Sequence, residues 1–141
     1  MLEDEVEAIL RRKALELSRK LLVSRESGEE CPRGVVQADR SIFNELLGKC
    51  RVVLADFWAE WCIPCKMVET LIRDVARRYS PRIAVVKVNI DENSDLAFEH
   101  GVLSIPTIIV FHKGREYRRF TGIYPGLRRE LEATIRKLVA S

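Results

Sequence analysis

Long apolar runs are missing from this 141-residue sequence. No stretch approaches the about 18 uncharged apolar residues that a membrane-spanning helix requires, so we expect no membrane segment. A large excess of one charge is missing too, since 24 lysines and arginines face 21 acidic residues. Nucleic-acid-binding domains usually carry a larger, clustered basic excess. The acidic first seven residues, MLEDEVE, are unlike a secretory signal peptide, so we predict a cytoplasmic protein that binds no nucleic acid.

Cysteines are few as well. Four cysteines are too few for a disulfide framework that takes the place of a hydrophobic core, and the 47% of apolar residues are enough to build such a core. A zinc site would need Cys31 and Cys50 as ligands in addition to Cys62 and Cys65. Neither Cys31 nor Cys50 belongs to a second CxxC or HxxxH motif, so we expect no metal. We expect Cys31 and Cys50 to be free thiols, and a disulfide between them is the alternative.

The N-terminal part of the chain differs from the rest. Apolar side chains recur at helical spacing over residues 2–23, which predicts an amphipathic helix. The polar stretch SRESGEECPRG, residues 24–34, predicts a linker. We therefore expect an N-terminal helical extension with its linker over residues 1–34 and a folded domain over residues 35–141.

Strand and helix patterns alternate from residue 35 onward. Strands are predicted over 35–38, 51–59, 83–90, 107–112 and 115–121, and helices over about 39–47, 62–79, 93–100 and 127–139. The order βαβαβαββα predicts an α/β fold. Lys113-Gly114 predicts the turn of a hairpin, which adds antiparallel pairing, so we expect a central mixed β-sheet flanked by helices.

One motif carries chemistry, the segment WCIPCK over residues 61–66. It follows a buried strand and opens a helix, where free N–H groups and the helix dipole stabilise a thiolate. We expect Cys62 at the exposed end to be the nucleophile. Cys65 lies about one turn further, within reach of a disulfide with Cys62, and should be more buried. Pro64 helps to hold the turn rigid.

This segment resembles the active site of the thioredoxin family. The resemblance extends from Asp56 to Lys66 and includes Lys87–Asp91, Ser104–Thr107 and Gly122, in unbroken order over about residues 35–141. It implies a thioredoxin-like fold and a protein-disulfide reductase that works without a prosthetic group. It also implies disulfide-containing client proteins, and a thioredoxin reductase, fed by a nicotinamide cofactor, as the electron source.

The same resemblance assigns roles to further residues. Asp56 would be a buried carboxylate that takes the proton from Cys65, with a surface position at the strand end as the alternative. Lys87 would lie near Asp56 and tune it, although a lysine in AVVKVNI is as readily a solvated residue at a strand end. Pro106 would follow a cis peptide bond and face the cysteines.

A substrate-binding apolar face is the last implied feature. It would be formed by Trp61, Ile63, Pro64, Ile105, Pro106 and Gly122, with Trp58 as a further candidate that core packing could equally explain. Two positions depart from the family pattern: Ile63 stands where glycine is usual, and Thr70 stands about where a helix-kinking proline is usual. Ile63 stiffens the loop and changes the rim of the site.

Two other functions remain open from the sequence. One is a glutaredoxin-like or disulfide-forming oxidoreductase on the same fold. The other is a non-enzymatic, redox-responsive binding module whose extension docks a partner. The apolar stripe of the N-terminal helix should pack on the domain, on a second copy or on a partner, away from Cys62. We therefore expect a monomer or a weak dimer formed through this helix, with a mobile helix as the alternative.

Overall fold

The computed structural model of the protein describes residues 5–15 and 31–140. Residues 5–15 form a helix, α1. The elements that follow are β1 (Val35–Gln37), α2 (Arg40–Lys49), β2 (Val52–Trp58), α3 (Ile63–Tyr79), β3 (Ala84–Asn89), α4 (Ser94–Glu99), β4 (Thr107–His112), β5 (Arg115–Thr121) and α5 (Leu127–Ala140). From β1 onward this is the predicted order, and each boundary lies close to its predicted position.

Five strands form one mixed sheet in the order β1-β3-β2-β4-β5. β2 lies at the centre, parallel to β3 and antiparallel to β4. β1 extends the sheet parallel to β3, and β5 extends it antiparallel to β4. Because β2 and β3 are parallel, their carboxyl ends meet at the same edge of the sheet. The chain leaves β2 at this edge and enters α3, so α3 begins there.

Helices cover both faces of the sheet. α3 and α5 pack on one face, and α2 and α4 pack on the other. β2 is consequently buried from Val52 to Phe57, as its nearly continuous apolar sequence predicts. The one charged residue in this strand, Asp56, therefore lies inside the molecule on the face covered by α3.

The hairpin at the end of the sheet has the predicted turn. Lys113 and Gly114 both have positive φ, 53° and 81°. A two-residue turn with positive φ at both positions has a backbone twist that matches the right-handed twist of the strands it joins, here β4 and β5.

The expectation that Cys31 and Cys50 are free thiols is wrong. The two residues form a disulfide with a Cα–Cα distance of 5.7 Å, and both are buried in the layer of α2 and α4. Cys50 ends α2 and donates its N–H to the carbonyl of Leu46 (2.8 Å), while Cys31 lies just ahead of β1. The fold thus brings together two chain segments whose proximity no local pattern indicates.

The N-terminal helix is confirmed where the structure describes it. Over residues 5–15 the large apolar side chains Val6, Ile9, Leu10 and Leu15 are all more than half exposed. The rest of the predicted helix and linker residues 24–30 lie outside the described residues. Across residues 5–15 and 31–140, none of the helices is long and apolar enough to cross a membrane.

Candidate active site

Cys62 and Cys65 lie where the end of β2 passes into α3. Cys62 is the N-cap of α3, and its Sγ accepts a hydrogen bond from the Cys65 N–H (3.2 Å). The two residues form a disulfide, with 5.3 Å between their Cα atoms. Pro64 occupies the first turn, where its missing N–H costs no helical hydrogen bond. A reduced Cys62 sulfur in this position would be stabilised as a thiolate by the helix N-terminus.

The predicted difference in exposure between the two cysteines is absent from this structure. Cys62 and Cys65 are each 4% exposed. Both pack against Ala59, with Trp58, Ile90 and Ile105 around them. The disulfide joins Cys62 to Cys65 at the start of α3, and both residues of the oxidised pair are buried among these apolar side chains.

Exposed apolar side chains surround the buried pair. Trp61 is 66% exposed and Ile63 is 70% exposed, and Pro64 is exposed as well. The Trp61 indole N–H donates to the Asp91 carboxylate (Nε1–Oδ2, 2.9 Å). Asp91 follows β3 at the edge where α3 begins, so the parallel strand pair brings it to the site. Sequence reasoning assigned Asp91 no role, although its place after β3 pointed to this edge.

A second loop completes the rim. The Ile105–Pro106 peptide bond is cis, Ile105 packs against the cysteine pair, and Pro106 is buried. The Gly122 N–H donates to the Pro106 carbonyl (2.8 Å) and thereby connects the end of β5 to this loop. Gly122 has a φ of 76°, and a Cβ there would meet no atom within 4 Å, so the positive φ is what favours glycine.

Asp56 lies beneath this surface and is 0% exposed. Neither of its carboxyl oxygens has a hydrogen-bond partner among the residues that the structure describes. Burial raises the pKa of Asp56 from its usual 3.8 to about 7; the Lys87 charge lowers it and the Glu69 charge raises it. A carboxyl group with this pKa exchanges a proton readily near neutral pH.

Lys87 is opposite Asp56 in the parallel pairing of β2 and β3. It is 8% exposed, and thus is not the solvated lysine of the alternative prediction. Its Nζ lies 4.1 Å from the centre of the Trp58 ring and 3.5 Å from Glu69 Oε1. Trp58 is accordingly partly buried between the cysteines and Lys87 and is not an open part of the rim.

Comparisons with known proteins agree with this geometry. The Thioredoxin family model matches residues 34–137. The chain belongs to the thioredoxin family. Thioredoxin from Griffithsia pacifica is 40% identical over 89 residues, which cover 63% of this chain and 82% of the relative. Thioredoxin from Porphyra purpurea is 38% identical over 102 residues, which cover 72% and 94%.

Solved structures give the same result. A mutant thioredoxin from Halobacterium salinarum superposes with a TM-score of 0.70 at 29% identity, over 77% of this chain and 94% of that one. Thioredoxin NaTrxh from Nicotiana alata gives 0.66 at 34% identity, over 76% and 94%. The protein is therefore a thiol–disulfide oxidoreductase with a thioredoxin-like fold, and Cys62–Cys65 has the spacing of its redox-active pair.

Proposed function

We propose that this enzyme reduces disulfides of partner proteins, with Cys62 as the nucleophile. The observation that carries the proposal is the Cys62–Cys65 pair at the start of α3, where Cys62 Sγ accepts the Cys65 N–H. In the reduced enzyme the Cys62 thiolate attacks one sulfur of the partner disulfide. A mixed disulfide forms, the partner's S–S bond breaks, and its other sulfur leaves as a thiolate that takes up a proton.

Cys65 completes the reaction as the resolving thiol. Its proton passes to Asp56, whose buried position and raised pKa suit it to accept a proton near neutral pH. The Cys65 sulfur then attacks Cys62 Sγ, the Cys62–Cys65 bond forms, and the second partner sulfur is released. Two electrons have passed to the partner, and the enzyme is left oxidised.

The partner chain is received by the apolar rim in this proposal. Trp61 and Ile63 offer open apolar surface, and the Trp61–Asp91 hydrogen bond limits movement of the indole. Ile105, which packs against the cysteine pair, supplies the rest of the rim together with Pro106 and Gly122, which are joined by a backbone hydrogen bond.

The setting of the enzyme is part of the same proposal. Thioredoxin reductase returns the two electrons, and the reaction takes place in the cytoplasm on proteins with exposed disulfides. Residues 35–141 act as the catalytic domain, and residues 1–34 form an extension outside the site. The protein works as a monomer or as a weak dimer formed through the N-terminal helix.

An insulin-reduction assay with two cysteine variants tests the reaction. Cys62→Ser should abolish reduction, because the serine leaves no thiolate at the N-cap of α3. Cys65→Ser should accumulate a mixed disulfide with the substrate, visible by non-reducing electrophoresis, because the resolving thiol is missing. Normal turnover by Cys65→Ser would contradict the assignment of roles, and no turnover by the wild type would favour a pure binding module.

A further inference from the structure

Lys87 forms its ion pair with Glu69 and not with Asp56. The Lys87 Nζ lies 3.5 Å from Glu69 Oε1. Both Asp56 oxygens lack a hydrogen-bond partner among the described residues, although Asp56 and Lys87 are opposite each other in adjacent strands. The buried carboxyl group is thus left without a hydrogen bond to the cation beside it.

Glu69 reaches Lys87 from α3. It lies four residues after Cys65, so the two residues share the face of the helix that looks toward the sheet. Glu69 Oε1 also accepts a hydrogen bond from Arg73 Nη2 (2.9 Å), which holds the carboxylate from the solvent side. The Lys87 side chain is only 10% exposed, whereas that of Glu69 is 36% exposed.

A cleft of about 170 Å³ opens beside this ion pair. Its lining residues come from β1, β3 and α3: Val35, Gln37, Glu69, Ile72, Arg73 and Lys87. The volume is sufficient for water, and polar groups are present to bind it. Lys87 belongs both to this cleft and to the surroundings of Asp56, so its position decides how strongly its charge acts on the buried carboxyl.

We propose that Glu69 is a positioning residue for disulfide reduction: it holds the Lys87 ammonium at the cleft and so weakens the attraction between Lys87 and the Asp56 carboxylate. The inference rests on the proposed function and deepens it, because it concerns Asp56, the group that accepts the Cys65 proton in that proposal. Without Glu69, Lys87 would favour ionised Asp56 more strongly, and the carboxyl group would give up its proton at lower pH.

Two charged residues, Lys87 and Glu69, act on the pKa of Asp56. Lys87 approaches from β3 and Glu69 from α3, with Arg73 behind Glu69. On the other side, the residue of β4 opposite Asp56 is the apolar Ile108. The charges of Lys87 and Glu69 act on the pKa of Asp56 in opposite directions.

Carbon-13 NMR of labelled aspartate carboxyl groups in the oxidised protein tests the proposal. The Asp56 signal is assigned by its loss in Asp56→Asn. Glu69→Gln should move the midpoint of the Asp56 titration down by about 0.5 to 1 on the pH scale. Lys87→Met should move it up. In the Lys87→Met background, Glu69→Gln should move the midpoint by less than half as much, because the residue through which it acts is missing.

Asp74→Asn is the matched control. Asp74 is also on α3 and pairs with arginines, Arg77 at 3.6 Å and Arg128 at 3.1 Å, but it does not contact Lys87. The midpoint for Asp56 should be unchanged in this variant. Glu69→Asp retains the charge and should restore most of the wild-type midpoint.

Two results would overturn the proposal. An unchanged Asp56 midpoint in folded Glu69→Gln excludes any role for Glu69 there. An equal movement in the wild-type and Lys87→Met backgrounds means that Glu69 acts directly and not through Lys87. Failure of the proposed function looks different: Asp56→Asn would release the reduced partner at the wild-type rate, while the Asp56 midpoint of the wild-type protein still responded to Glu69→Gln.

Discussion

At the residue scale, Asp56 is a carboxyl group in an environment unlike water. It has no exposed surface and a pKa raised by burial to about 7. A raised folded-state pKa contributes stability below the unfolded value near 4, and this stability is lost as the pH rises through about 7. Asp56→Asn removes that dependence. The free energy of unfolding of the variant, relative to that of the wild type, should therefore rise between pH 4 and pH 8, by on the order of 4 kcal/mol at full titration.

Urea unfolding of both oxidised proteins at pH 4.5, 6 and 8 measures this difference. A stability gap that stays constant over this range would contradict the raised pKa. The same variant should release reduced partners more slowly at pH 7, since general-base help contributes on the order of 10²–10⁴-fold in favourable cases. Unchanged release across pH 6–8 would remove Asp56 from the mechanism.

At the scale of elements, the Cys31–Cys50 disulfide ties the approach to β1 to the start of β2. It closes a loop with a sequence separation of 19. Replacing both cysteines with alanine should lower the free energy of unfolding by roughly 2–4 kcal/mol. Insulin reduction should be unchanged, because Cys50 precedes β2 while Cys62 follows it, and a seven-residue strand is about 20 Å long.

Thermal unfolding under oxidising conditions compares the double variant with the wild type. Cys31→Ala alone is the control, since it breaks the same bond and leaves one free thiol. Equal melting temperatures for all three proteins would mean that the bond adds no stability. Lost insulin reduction in a stable double variant would mean that this end of the sheet communicates with the catalytic end.

Elements were predictable where their signal is local. The apolar run of β2 and the hairpin at Lys113-Gly114 depend on neighbouring residues, and β4 and β5 have the predicted boundaries. The Cys31–Cys50 bond and the Glu69–Lys87 ion pair join distant chain segments, so periodicity does not encode them. Helical spacing from Cys65 would have drawn attention to Glu69, one turn along the same face.

At the scale of the whole molecule, the extension is separate from the catalytic site in our proposal. The described part of α1 leaves Val6, Ile9 and Leu10 more than half exposed, so residues 31–140 do not bury these side chains. Deleting residues 1–30, which retains Cys31, should therefore keep insulin reduction intact and change the free energy of unfolding by about 0.5 kcal/mol or less.

Light scattering at several protein concentrations, with and without residues 1–30, shows whether a second copy covers the exposed stripe. Apolar side chains at helical spacing gain stability only when they are buried, and pairing of two α1 helices would bury them in both copies. A dimer of the full chain that becomes a monomer on deletion would assign the stripe to self-association. Lost insulin reduction with an unchanged melting temperature would instead place the extension in the catalytic site, against the separation proposed here.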